Sequence, residues 1–243
     1  MVLKVIGSSS KGNCYILESN SEALIIEAGC KLAEVKKAIG WNLTKVAGCV
    51  VSHEHNDHAK YAKEYADAGI KMLALPAVLE AKGIERNKHG ITLGYAYYIG
   101  TFRVQPFKVQ HDVPCVGFVI EHAELGKLVF FTDTFACRLK FEGVTTYMVE
   151  ANYCDERLEA NIMDGSVPMM LRNRLMTSHM EIKNTIGFLQ RTDLTKTQHI
   201  VLVHLSAGNS NPENFVKQVV EATGVPAYIA KQGMELDISA VLV

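Results

Sequence analysis

The sequence predicts an α/β protein with sheets inside and helices outside, arranged as a single layered domain over residues 1–243. Short apolar or β-branched runs of strand length occur in two sets, one between Leu3 and Ala74 and one between Phe102 and Phe131. Segments with helical spacing lie within and after those sets. No linker, low-complexity stretch or short-period repeat divides them.

In chain order, residues 3–6, 15–18 and 23–26 read as strands separated by Gly, Ser and Asn turn signals. Residues 32–39 have helical spacing and stop at Gly40. Residues 46–51 form a buried strand, 61–68 a helix and 71–74 a further strand. Residues 102–105 alternate, and 115–120 and 128–131 are apolar strand runs. After Tyr147-Met148-Val149 the helical pattern returns, with Ile182, Ile186 and Leu189 on one helix face. Residues 200–203 read as a strand, 212–222 as a helix opening on Pro212, and 236–243 as a closing strand.

Hydrophobic residues make up 48% of the chain and charged residues 21%, enough to bury a large core. A formal net charge of -1 gives no bulk attraction for a long polyanion, although a local basic site stays open. No apolar stretch approaches the ~20 residues a membrane span needs. The opening apolar run breaks at Gly7-Ser8-Ser9-Ser10, too early for a secretory signal. The six cysteines show no CxxC pairing and read as buried reduced thiols. A cytoplasmic protein without membrane association is expected.

Chemistry concentrates in Ser52-His53-Glu54-His55-Asn56-Asp57-His58, directly after the buried strand 46–51. His53 and His55 are two apart, so in extended chain they project to one side. Asp57 and His58 follow within reach of a second point. Imidazole and carboxylate donors suit Zn, Mn or Fe. These four side chains cannot close two metal sites, and other ligand types stand directly after apolar strands: His111, Asp133 and His204.

The spacing His53-x-His55-x-Asp57-His58, with His111, Asp133 and His204 downstream in order, resembles the metallo-β-lactamase superfamily. That resemblance implies a four-layer αββα sandwich with two divalent metal ions, Zn or Mn with Fe also possible, at one edge of the paired sheets. It implies that His53, His55 and His111 hold one ion, that Asp57, His58 and His204 hold the other, and that Asp133 bridges them. An aspartate bridge is similar to the hydrolase and phosphodiesterase branches. Gly7-Ser8-Ser9-Ser10-Lys11-Gly12-Asn13, Val149-Glu150-Ala151-Asn152, Ser178-His179-Met180 and Leu202-Val203-His204-Leu205-Ser206 are similar to the YycJ/WalJ-like branch, which is linked to exonuclease activity on DNA; the RNase Z and PhnP types are its relatives. Two departures are visible. Glu27 stands where the superfamily usually has Asp, and Ser178-His179-Met180 replaces the usual Gly-His-Leu-Ser wording.

Two ions about 3.5–4 Å apart make hydroxide available near neutral pH and offset charge on a phosphodiester. Asp57 and Asp133 are expected to orient that nucleophile. His179, just before the amphipathic helix, is the candidate proton donor to the leaving group, a helix-capping or surface role being the alternative. Ser9, Ser10, Lys11 and Asn13 form a candidate phosphate nest or a simple turn. Glu27 reads as the partner that orients a ligand histidine. Arg172, Arg174 and Lys183 read as a solvated helix face that can also meet phosphates, and His89, His122 and His199 as structural or exposed. The expected partner is a nucleic acid substrate or a small phosphoester. A small cyclic phosphate or thioester hydrolase, and a metal-stabilised binding protein without catalysis, are the alternatives.

Overall fold

The two sets of strands become two seven-stranded sheets in the computed structural model, which describes residues 1–241. The first sheet holds β1 (Val2–Ser9), β2 (Gly12–Glu18), β3 (Ala23–Ile26), β4 (Val46–Val51), β5 (Met72–Ala74) and β6 (Lys88–Gly90). The second holds β7 (Tyr97–Ile99), β8 (Phe102–Lys108), β9 (Val116–His122), β10 (Gly126–Phe131), β11 (Thr146–Glu150), β12 (His199–Val203) and β13 (Ala227–Ile229). β14 (Glu235–Asp237) crosses back to the edge of the first sheet, against β1. Four helices belong to the first half: α1 (Leu32–Ala38), α2 (Asn56–Ala59), α3 (Ala62–Asp67) and α4 (Pro76–Ala81). The second half has α5 (Asp155–Met163), α6 (Met169–Ser178), α7 (Ile182–Arg191) and α8 (Pro212–Thr223).

Alternation along the strands builds the layers. On β2, Tyr15 and Leu17 enter the core between the sheets, while Cys14 and Ile16 face the helices. On β10, Leu128 and Phe130 face the other sheet, and Val129 and Phe131 lie under Phe188 and Leu189 of α7. With both faces buried, these strands are continuous apolar runs. The result is an αββα sandwich. β3 to β6 and β10 to β13 run parallel, so the C-terminal ends of β3, β4, β10, β11 and β12 are available to carry polar side chains.

Five short elements, α2, α4, β6, β7 and β13, stand outside the expected ones; each is too brief to show a period. The closing strand expected over 236–243 is shorter. Its ladder pairs Glu235–Asp237 with Lys4–Val2, and one further bond runs from Ile238 N to Met1 O; residues 242–243 lie outside the described residues. All six cysteines are buried and unpaired. No helix among the described residues is long and apolar enough to cross a membrane.

Candidate metal centre

β4 delivers the chain to Ser52 and His53, and His55 then caps α2, which sets Asp57 and His58 in a helical turn. His111 follows β8, and its ring centroid lies 4.8 Å from that of His53 and 4.9 Å from that of His55. His53 Nδ1 is 2.9 Å from Ser52 Oγ, while its buried Nε2 has no hydrogen-bond partner. Donor atoms of His53, His55 and His111 all lie within 4.8 Å of one another. Those of Asp57, His58 and His204 form a second such group. In it, Asp57 Oδ2 is 3.1 Å from His204 Nε2 and 3.3 Å from His58 Nε2. Asp133 Oδ2 lies 3.0 Å from His58 Nε2, and Asp133 also groups with His53 and His58. The structure therefore gathers all seven expected ligand residues into one cluster, with Asp133 between two triads.

Three strand exits share one backbone device. Glu27, Asp133 and His204, directly or nearly following β3, β10 and β12, have φ of +68°, +55° and +56°. This left-handed region costs a non-glycine residue on the order of 1 kcal/mol or more, and such strain is characteristic of positions fixed for a task. Gly29 completes the fit: a Cβ there would sit 1.8 Å from the Asp57 carbonyl oxygen. Ala28 N donates to His58 O at 2.7 Å, so the loop after β3 grips the turn that carries Asp57 and His58.

A shell of polar groups orients the cluster. Both carboxylate oxygens of the fully buried Glu27 accept from Ser52 N at 3.3 Å, and Oε2 lies 3.7 Å from His58 Nδ1. Glu150, to which the sequence assigns no role, ends β11 fully buried. Its Oε1 is 2.7 Å from His179 Nδ1 and 3.4 Å from His204 Nδ1, and its Oε2 accepts from Thr134 N and Met180 N. The signal that exposed Asp133 and His204, a polar residue directly after an apolar strand, was present at Glu150 too. Asp112, also unforeseen, is 3.0 Å from His111 Nε2 and 3.5 Å from His55 Nε2. Asn152 Nδ2 donates to His204 O, and Ser8 Oγ accepts from His204 N.

Other expected residues fall differently. His179 closes α6 instead of opening α7, and its ring stacks on His204 at 5.3 Å. The candidate phosphate nest is the two-residue connection of the β1–β2 hairpin, in which Ser9 Oγ accepts from Lys11 N. Asn13 is buried, because register points it inward, and its Nδ2 lies 3.1 Å from His58 Nε2. Of those four, only Ser10 lines the cleft over the cluster. Arg172 and Lys183 pair with Glu159 and Glu156, whereas Arg174 lines the cleft. His89, His122 and His199 lie outside the cluster.

The electrostatics call for added positive charge. Among the described residues, Glu27, Asp133 and Glu150 are buried and have histidines as their ion-pair partners, with no Lys or Arg. Without metal, the histidines supply the cation. Burial opposes charge on His204, but Asp133, Asp57 and Glu150 outweigh it and push its pKa up to about 10. Burial would raise the Asp133 carboxyl, yet the charges of His204 and His58 hold it well below the usual range. Burial and the charge of His58 push His53 well below its ordinary value, so its imidazole is neutral. The buried, unpartnered Nε2 of His53 and this excess of carboxylate fit divalent cations. If His204 is a ligand, metal uptake displaces its proton. Calorimetric titration in two buffers of different ionisation enthalpy should therefore show proton release, with affinity rising between about pH 6 and 8. Uptake without proton release would count against His204 as a ligand.

Comparison with known proteins agrees with this geometry. Residues 9–136 match the metallo-β-lactamase superfamily, more than half of the chain. The chain belongs to that superfamily. Within it, the chain is similar to the exodeoxyribonuclease YycJ of Bacillus anthracis, 28% identical over 247 residues, covering 90% of this chain and 89% of that protein. It is also similar to the exodeoxyribonuclease WalJ of Streptococcus pneumoniae serotype 2 (strain D39 / NCTC 7466), 25% identical over 239 residues, covering 91% and 86%. Among solved structures, the metallo-β-lactamase fold protein YhfI from Bacillus subtilis superposes with a TM-score of 0.73 at 16% identity, covering 97% of this chain and 98% of that one. The chain is thus a metal-dependent hydrolase of the metallo-β-lactamase superfamily, with candidate His and Asp ligands for divalent metal.

Proposed function

We propose that the protein is a dinuclear metal-dependent phosphodiester hydrolase acting on nucleic acid in the manner of a DNA exonuclease, as one domain in the cytoplasm. The observation that carries the dinuclear reading is the pair of donor triads joined through Asp133. His53, His55 and His111 would hold one ion, and Asp57, His58 and His204 the other. Zn or Mn suits these nitrogen and oxygen donors, with Fe as a third fit. Divalent ions there would supply Lewis acidity, lowering the pKa of water and offsetting phosphodiester charge. The similarity to two exodeoxyribonucleases along nine-tenths of the chain supports the substrate class.

The remaining chemistry belongs to side chains. Asp57 and Asp133 accept hydrogen bonds from the attacking water and fix its direction. His179 delivers the proton to the leaving oxygen. Its Nδ1 is tied to Glu150 at 2.7 Å, which leaves Nε2 for the substrate. Burial works against charge on His179, but Glu150 and then Asp133 raise its pKa, which favours the protonated ring. The cleft beside it, about 350 Å³, is lined by His55, Asp57, His111, Asp133, His179 and His204.

The reading is tested by assaying Mn- and Zn-loaded protein on 5′-labelled single- and double-stranded DNA, bis-p-nitrophenyl phosphate and a thioester. Hydrolysis of DNA and the model phosphodiester is expected. Turnover of the small ester or thioester alone would remove the exonuclease reading, and turnover of nothing by metal-loaded protein would leave a binding protein. His179→Ala should lower turnover by about 10²–10⁴-fold with metal content intact. Because Asp133, Glu150, His179 and His204 also group within 4.8 Å, loss of metal in that variant would instead make His179 a ligand.

A further inference from the structure

The segment after β10 carries Asp133 into the metal cluster and then runs outward through Arg138 and Lys140. Two cavities follow it. The first, about 820 Å³, is lined by His111 and Asp112 beside the cluster and by Lys108 and Arg138. The second, about 410 Å³, shares Ala136 and Arg138 with the first and is lined by Lys140, Lys183 and Arg191. Basic side chains thus form a continuous path from the ligand His111 to the end of α7. Lys108, Arg138, Lys140, Lys183 and Arg191 are all exposed.

This path is not background charge. The chain has 25 basic and 26 acidic residues, yet Asp112 is the one acid among those lining either cavity. Among the described residues, Lys108, Arg138 and Lys140 form no ion pair. Lys183 meets Glu156 at 3.0 Å, but both are more than half exposed, and such a pair holds the lysine weakly. Arg191 is anchored by donating to the carbonyl of buried Cys137, which fixes the path to the loop that carries Asp133. The first cavity also has apolar wall from Leu75, Leu93, Val113 and Leu139. Cations in series beside apolar wall match a chain of phosphates with unpaired bases.

We infer that the Lys108–Arg138–Lys140–Arg191 face is a track that carries the backbone of a single nucleic-acid strand away from the metal cluster. The inference rests on the nucleic-acid reading above and adds where the strand lies. Phosphates bind the cations, releasing counterions, and bases lie against the apolar wall.

The test measures binding of a fluorescein-labelled, single-stranded phosphorothioate 12-mer by anisotropy across a potassium chloride series, beside turnover of bis-p-nitrophenyl phosphate. The double variant Arg138→Glu with Lys140→Glu should bind about tenfold more weakly or worse, and its salt slope should shrink by about 1.4, at roughly 0.7 per lost phosphate contact. Its small-ester turnover should match the wild type, since neither residue belongs to the cluster. Arg138→Lys with Lys140→Arg, which keeps both charges, should bind like the wild type. Equal affinity for the reversed-charge variant and the wild type would remove the track while leaving a nucleic acid substrate elsewhere. Failure of the wild type to bind the oligonucleotide would remove both readings. A matching loss of small-ester turnover would trace the effect to a damaged site and overturn the track.

Discussion

Asp133→Asn is expected to lower turnover by about a thousandfold or more, since charge stabilisation of several kcal/mol at a metal site, at 1.36 kcal/mol per factor of ten, amounts to that loss. The substitution isolates charge from shape. Asp133 occupies φ +55°, a conformation that Asn tolerates better than most residues, so the backbone exit from β10 survives. Thr132 Oγ1 donates to Asp133 Oδ2, a contact that an amide oxygen can still accept. What disappears is the carboxylate that groups with His53 and His58 on one side and with His204 on the other. Metal analysis of the purified variant should show less metal per chain than the wild type holds. Asp133→Ala should lose as much activity and more stability, because alanine bears the left-handed backbone poorly. Turnover within tenfold of the wild type, with two ions retained, would remove Asp133 from the bridging role.

The same residue shows why much of the candidate site is legible in the sequence. Asp133, His204 and His53 lie at ends of strands buried on both faces, and a polar side chain after such a run has few structural reasons to be there. The long strands were readable for the same reason: β3 and β4 match their expected bounds because every residue of β3 and the last four of β4 are buried. What escaped depended on distant contacts. The α2 turn forms inside the histidine cluster because Ala28 and Gly29 hold Asp57 and His58 from another strand's exit, not because Asn56-Asp57-His58-Ala59 favours helix. Asn13 reads in the sequence as part of a phosphate nest or a simple turn, but a two-residue hairpin turn sets its register and turns it toward His58. The basic path was invisible because Lys108, Arg138 and Arg191 come from a strand, a loop and a helix that only folding unites.

Glu27 has a bearing on the departure from the usual aspartate. Its position after β3 is left-handed and fully buried, and its carboxylate spans from Ser52 N toward His58 Nδ1. The extra methylene therefore does not displace the carboxylate from the cluster; it lets one acid touch both the strand exit that presents His53 and the ring of His58. Orientation of a ligand histidine, the role expected of it, is compatible with that reach.

Glu150→Gln carries the second large effect. Glutamine has nearly the same volume and its oxygen can still accept from Thr134 N or Met180 N, so the end of β11 keeps its packing. It cannot balance positive charge on His179 or His204, which lie 2.7 Å and 3.4 Å from Glu150 Oε1. Loss of such an outer partner costs roughly 10–100-fold in metal affinity or activity, and both should fall here. Stability of the metal-free protein should respond to pH with a definite sign. Glu150 raises the His179 pKa against burial, and a raised histidine pKa contributes stability below its unfolded value, near about 6.5, that fades as pH rises through the folded value. The variant should therefore be most destabilised relative to the wild type at about pH 5.5, and the gap should narrow toward about pH 8.5 as His179 gives up its proton, while His204, with a pKa of about 10, keeps its charge beside the carboxylate over that range. Urea unfolding at both pH values, with chelator present, reads this directly. A constant stability gap across that range, or unchanged metal affinity, would reduce Glu150 to a space-filling residue at the end of its strand.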